Sequence, residues 1–248
     1  MRRKPARTPR LYVEDPLQAG ARLALAPRAA HHATDVLRLR AGEALVLFDG
    51  RGGEYDARIL LAARERVEAE VGERRDVERE SPLRVTLVQA VSSGERMDLT
   101  VQKAVELGVA AIRPVLTEKT VVRLDAARAA AKAEHWRRIV ISACEQCERN
   151  RLPEVFPVVP LAEYCRASPP GKRLLLSPAG GRGIRAAAAD IAGEAVLAAG
   201  PEAGFSAEEE ALLVGAGFEP VRLGPRVLRT ETAALAALAA INALAGDY

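Results

Sequence analysis

The chain has 248 residues, with 36 Lys and Arg against 33 Asp and Glu, and its net charge of +3 excludes a histone-like polycation. A hydrophobic fraction of 49% and a charged fraction of 28% are ordinary globular usage, which sets aside collagen-like, disordered and disulfide-scaffold classes. No apolar run reaches the roughly 18 residues a bilayer span needs, and Met1-Arg2-Arg3-Lys4-Pro5 is followed by no apolar stretch, so a soluble cytoplasmic protein with no membrane partner is expected.

In chain order, the first 40 residues hold nine basic side chains against three acidic ones, a local charge of +6 that leaves −3 for the rest. Such a basic edge suits phosphate-backbone contact, although a solvated Arg-rich tail would read the same way. His31–Leu39 looks like a short helix. Ala44–Phe48, closed by the turn pair Asp49-Gly50, then Tyr55–Leu60 and Arg66–Val71, read as short strands of a small β-barrel. Residues 72–82 are charged and end in Pro82, which marks a domain boundary. Beyond it strands alternate with helices. Leu83–Val91, Ala110–Leu116, Leu174–Leu176, Ala195–Ala198 and Val221–Leu223 are the strands, while Met97–Leu107, Asp125–Cys147 and Thr230–Ala245 are the longer helices. This alternation predicts an α/β domain with a parallel sheet. The last helix is Ala and Leu on nearly every face and needs cover on more than one side, which a second subunit could provide.

Ligands of open α/β sheets sit beyond the carboxyl ends of the strands, so the loops that follow strands are where chemistry is sought. Three such loops are glycine-bearing: Ser177-Pro178-Ala179-Gly180-Gly181, Gly200-Pro201-Glu202-Ala203-Gly204-Phe205-Ser206, and Gly224-Pro225-Arg226-Val227-Leu228-Arg229-Thr230-Glu231-Thr232. Glycines allow close backbone approach to a ligand, and the N–H groups near Ser206 and Thr230 could receive an anion or a polar ring edge. The same residues are also good helix caps. No P-loop and no Gly-x-Gly-x-x-Gly fingerprint occurs. Cys144-Glu145-Gln146-Cys147 lies in a predicted helix without a second pair, so helix packing is expected and no metal site. With Cys165 the cysteines form an odd set that suits a reducing compartment. His31, His32 and His135 lack partners at metal or triad spacing.

The second and third loops, Gly200–Ser206 and Leu223–Ala233, closely resemble the RsmE family of bacterial 16S ribosomal RNA uridine-N3 methyltransferases. The likeness extends to Val101–Val109, Ala143–Pro153, Pro9–Tyr12, Val36–Arg38 and Leu47–Gly50, in family order along nearly the whole chain. The resemblance implies a PUA-like RNA-binding β-barrel over residues 1–76 and a SPOUT methyltransferase domain over 77–248, with a deep trefoil knot at about 174–233. It implies a homodimer that acts on the decoding region of 16S ribosomal RNA in the 30S subunit. It also implies S-adenosylmethionine as cofactor, held by Leu176, Ser177 and Pro178, by Gly200, Pro201, Glu202 and Gly204, and by Leu223, Gly224, Arg226, Val227, Leu228, Thr232 and Ala233.

One position departs from the family pattern, where Ala203 replaces the first of two glycines after Pro201-Glu202. If that glycine's task is a positive φ, alanine would strain the loop; if it only permits close approach, a methyl group can fit. For the reaction, Arg229 is the expected stabiliser of the uracil anion, and Glu202 or Glu231 the proton acceptor or orienting partner. Glu231 can equally be a first-turn acid complementing the helix dipole. Arg7, Arg10 and Arg38 are expected to meet RNA. Two alternatives share the fold: another RNA acceptor (a ribose 2′-hydroxyl or a tRNA base), and a non-catalytic ribosome-assembly protein that has lost cofactor binding through Ala203.

Overall fold

The computed structural model describes residues 8–63, 66–120, 124–167 and 170–248. They divide into two compact units, one running to Glu80 and taking in Cys144–Leu152, the other made of Ser81–Ala143 and Pro153–Tyr248. Arg7 lies outside the described residues. Among the described residues no helix is long and apolar enough to cross a membrane.

In the first unit, β1 (Arg10–Tyr12), β2 (Arg22–Ala24), β3 (Ala44–Phe48), β4 (Glu54–Ala62) and β5 (Val67–Arg75) form one sheet in the order β1-β3-β4-β5-β2. All pairs are antiparallel except β1 with β3. Strand alternation turns Leu45, Leu47, Ile59, Val67, Ala69 and Val71 into a shared core. The helix expected from His31 begins earlier. Proline fits its first turn, so α1 (Pro27–His31) starts there and then loosens into a wider turn over His32–Val36, where the Leu37 N–H reaches the His32 carbonyl at 2.9 Å. The charged stretch expected as a linker from residue 72 is in part strand. β5 continues to Arg75, whose guanidinium pairs with Glu54 and Asp56 across the ladder.

Arg10 is corrected from an RNA-facing residue to an internal one. Its side chain is 4% exposed, pairs with Glu54 and donates to Asn150 Oδ1 at 2.6 Å, with Phe48 stacked beneath. A charge taken from water must be paired, and this one is paired through both terminal nitrogens while its Nε, though without a partner, is closed off from solvent, so the side chain is not available to a phosphate. Burial would raise the Glu54 carboxyl, but Arg10, Arg75 and Arg79 together hold it below the usual carboxylate range. The segment 144–152 is fastened to this unit by similar means. Asn150 donates to the Val77 carbonyl at 2.6 Å, and Arg149 and Arg151 pair with Glu80 and Glu78. Cys144 is buried, its thiol directed at the Arg151 carbonyl, as packing requires.

The second unit is a parallel sheet with helices. Its elements are β6 (Arg84–Ala90), α2 (Gly94–Glu106), β7 (Ala111–Leu116), α3 (Ala126–Cys147, the last turn belonging to the first unit), β8 (Glu154–Val155), β9 (Val159–Pro160), α4 (Leu161–Arg166), β10 (Lys172–Leu176), β11 (Arg182–Gly183), α5 (Ile184–Ala188), β12 (Glu194–Ala199), α6 (Ala207–Gly215), β13 (Glu219–Arg222) and α7 (Thr230–Ala245). The strand order is β11-β13-β10-β12-β6-β7-β8, with β9 also on β7. Central strands such as β12 are buried along almost their whole length, which is why they read as unbroken apolar runs. α7 finds cover within its own chain, against α2, α5 and the sheet. Its buried Asn242 donates to the Leu107 carbonyl at 2.7 Å and accepts from Ser81.

β13 lies between β10 and β11, although only residues 177–181 separate those two strands in the chain. The segment 177–181 must therefore cross β13. It does so at Gly180, where a Cβ would stand 2.6 Å from the Val221 carbonyl carbon and 2.8 Å from its nitrogen. Ser177 N–H donates to the Val221 carbonyl at 3.0 Å, fixing the same crossing. Gly180→Ala should cost about 1–3 kcal/mol of stability as an overpacking defect against rigid backbone. Gly181→Ala, which would meet nothing within 4 Å, should cost far less. Thermal unfolding of the two variants checks this, and equal losses would place the constraint elsewhere.

Candidate active site

β10, β12 and β13 end on one side of the sheet, and the loops they release wall a cavity of about 380 Å³. Leu176, Ser177 and Pro178 come from the first loop; Ala199 to Phe205 from the second; Leu223, Gly224, Arg226, Val227 and Leu228 from the third. Val221, Glu210 of α6, and Thr230 and Ala233 of α7 complete the wall. Of the residues expected to hold a cofactor, only Thr232 stands outside this wall, exposed on the first turn of α7.

Two polar clamps shape the cavity before any ligand arrives. In the first, Thr230 Oγ1 donates to the Gly200 carbonyl at 2.6 Å and accepts from Gln89 Nε2 at 3.1 Å. Gln89 is fully buried at the end of β6, so one amide joins the second loop to the start of α7. The second clamp is Glu202, which accepts from Ser93 N–H at 2.9 Å, Ser93 Oγ at 2.8 Å and Arg96 Nη1 at 3.0 Å. Burial would raise this carboxyl, but the N–H groups of Ser93 and of Glu202 itself, the Ser93 hydroxyl and Arg96 pull it down to about 2. A carboxylate so weakly basic, with three donors gathered on Oε1, fastens the loop onto the start of α2. Of the two roles expected of Glu202, proton acceptor and orienting partner, its contacts favour the second.

The second loop ends in a capping box, in which Ser206 Oγ accepts from Glu209 N–H and Glu209 Oε2 accepts from Ser206 N–H. The other carboxylate oxygen of Glu209 accepts from the Glu118 N–H at 2.7 Å, and Lys119 donates to the Phe205 carbonyl at 3.2 Å. Ala203 is unstrained. Gly204 carries the positive φ of +69°, while the non-glycine residues with positive φ, among those described, are Arg38 and Glu148. Arg229 is exposed at the N-cap of α7, between two residues of the cavity wall, and no ion pair engages it among the described residues. Glu231 is half-buried, and its Oε2 has no hydrogen-bond partner in the chain.

Gln89, Ser93, Arg96 and Glu210 escape sequence reasoning. Gln89 alone leaves a trace there, as a lone amide in the apolar run Leu83–Val91.

Two family models match the chain. One, the RNA methyltransferase domain, covers residues 79–242; the other, the RNA methyltransferase PUA domain, covers residues 25–72. The class is thus an RNA methyltransferase domain accompanied by a PUA domain. The chain is 30% identical to ribosomal RNA small subunit methyltransferase E of Buchnera aphidicola, over 99% of this chain and 97% of that protein. It is 38% identical to the protein of that name from Mycobacterium bovis, over 88% and 84%. Among solved structures, a methyltransferase of Legionella pneumophila in complex with bound SAM superposes with a TM-score of 0.94 at 43% identity, over 98% of this chain and all of the other. Ribosomal RNA small subunit methyltransferase E of Neisseria gonorrhoeae, bound to S-adenosyl methionine, gives 0.91 at 43% identity, over 97% and 99%. The chain belongs to the ribosomal RNA small subunit methyltransferase E family.

The Glu202 clamp has a pH signature. Its folded carboxyl lies near 2, below the ordinary 4.5, so its stabilising share is complete above about pH 4.5 and is lost as pH falls toward 2. Glu202→Gln should therefore be less stable than wild type at neutral pH, and the difference should shrink through that window. Urea midpoints at pH 7, 4.5 and 3 measure it. Glu54, Asp190 and Glu219, also held low, keep part of the acid slope in both proteins.

Proposed function

We propose that the chain transfers a methyl group from S-adenosylmethionine to N3 of a uridine in the decoding region of 16S ribosomal RNA, with the assembled 30S subunit as substrate. The observation that carries this reading is the cavity of about 380 Å³ on three clamped loops, with Arg229 between two of its wall residues. The cavity suits the cofactor chemically. Leu176, Val221, Leu223 and Leu228 offer apolar surface for an aromatic base, and Glu210 and Arg226 supply charge of both signs. Ala203, with its ordinary backbone, gives no support to a non-catalytic assembly protein.

When bound, the cofactor supplies an electrophilic sulfonium methyl. The chain's own task is to hold uracil N3 in line with that methyl and take up the N3 proton as the N–C bond forms. Arg229 stabilises the ring anion at a carbonyl oxygen, free of any described ion pair that would hold it elsewhere. Glu231, with one carboxylate oxygen unpartnered, is the proton acceptor or orients the base. A base inside folded RNA must be splayed out to reach the cavity. On the first unit, Arg38 is exposed at the surface and Arg40 follows two residues on, so these two replace Arg10 as phosphate contacts. The crossing of β13 by residues 177–181 supports a trefoil knot in this region, and the resemblance supports a homodimer.

Primer extension along the small-subunit RNA of unmodified 30S particles tests the reaction, because a methyl on N3 removes a pairing edge and stops reverse transcription. The wild type should give a strong stop at one uridine, and Arg229→Ala should slow its appearance by about a hundredfold. A weak stop typical of ribose methylation, or full activity of Arg229→Ala, would count against the acceptor or the residue respectively. Arg38→Ala should weaken RNA binding and lower the slope of log affinity against log salt by about one. An unchanged slope would remove Arg38 from the phosphate contacts.

A further inference from the structure

We propose that Glu210 and Arg226 form a matched pair of charges for the amino-acid end of the cofactor, Glu210 receiving its ammonium and Arg226 its carboxylate. This rests on the S-adenosylmethionine reading above. Three acids occupy the first turn of α6, where the helix dipole favours them without any ligand. Glu208 is exposed to solvent, and Glu209 is occupied by the capping box and the Glu118 N–H. Glu210 differs from both. It is half-buried in the cavity wall, and no hydrogen bond or ion pair engages its carboxylate among the described residues.

The charge of the cavity then resolves simply. Its other carboxylate, Glu202, is compensated by Arg96 at 3.0 Å. Arg226 is exposed on the wall and, like Glu210, has no ion-pair partner among the described residues; the two do not pair with each other. One half-buried negative charge and one exposed positive charge therefore stand uncompensated on a cavity whose other walls are apolar side chains, backbone, the Arg96-paired Glu202 and the hydroxyl residues Ser177 and Thr230. A ligand that fills the space strips water from both, at a cost that only opposite charges on the ligand can offset. Adenine and ribose carry neither charge, and the sulfonium carries one. The α-amino acid carries both, as ammonium and carboxylate on one carbon, which fits a pair of receivers that do not neutralise each other.

Calorimetry on the full chain with three ligands separates the possibilities. S-Adenosylmethionine and S-adenosylhomocysteine share the amino acid and differ in the sulfonium charge, whereas 5′-methylthioadenosine lacks both. Glu210→Gln and Arg226→Gln should each weaken the first two by about tenfold, the size of a charge-assisted contact, and leave the third unchanged. Equal weakening of all three would mean general damage to the cavity and would overturn the pairing. So would a loss confined to S-adenosylmethionine, or no loss at all. Failure of the wild type to bind any of the three would instead overturn the cofactor reading on which the pairing rests.

Discussion

At Gly180 two backbones pass so closely that no side chain fits between them, and the rest of the second unit is arranged around that passage. A sheet normally gains neighbours without one segment crossing another. Here β13 occupies the gap between β10 and β11, and residues 177–181 are carried across it. The consequence is local and chemical. The loops leaving β10 and β13 are brought against the loop leaving β12, so three stretches far apart in sequence wall one cavity.

The clamps turn that proximity into a defined shape. Thr230, Gln89 and Gly200 tie the second loop to the start of α7, and Ser93 and Arg96 hold Glu202 from the start of α2. From the segment after β7, Lys119 donates to the same loop and the Glu118 N–H holds Glu209, the residue that caps the loop's end. A loop with so many fixed polar contacts has little conformational freedom left to lose when a ligand binds, which favours affinity. The division of labour among acidic residues follows from the same contacts. Glu202 and Glu209 hold the loop, and Glu210 and Glu231 keep oxygen atoms free for chemistry or binding.

Much of this was legible in the sequence, for physical reasons that differ by element. The buried strands β6 and β12 announce themselves as apolar runs, and the glycine-bearing loops after β10, β12 and β13 mark the site because ligands lie at strand carboxyl ends. The short strands β1, β2, β8 and β11 have two or three residues each, too few to show a period. The charged end of β5 looked like linker, since its arginines are satisfied only by partners across the ladder. Arg10 misled for a related reason. Composition reports a cation, and only the fold brings Glu54 and Asn150, residues 44 and 140 positions away, against its guanidinium.

The position of β13 also has a bearing on synthesis. β13 and α7 follow the other two loop-bearing strands in the chain, yet β13 fills the place between β10 and β11 and α7 supplies Thr230 and Ala233 to the cavity. A ribosome making this protein therefore emits a chain that has two of its three loops and no site. A product cut short before Glu219 would leave β10 and β11 without the strand between them and would lack the third loop and the α7 residues that wall the cavity.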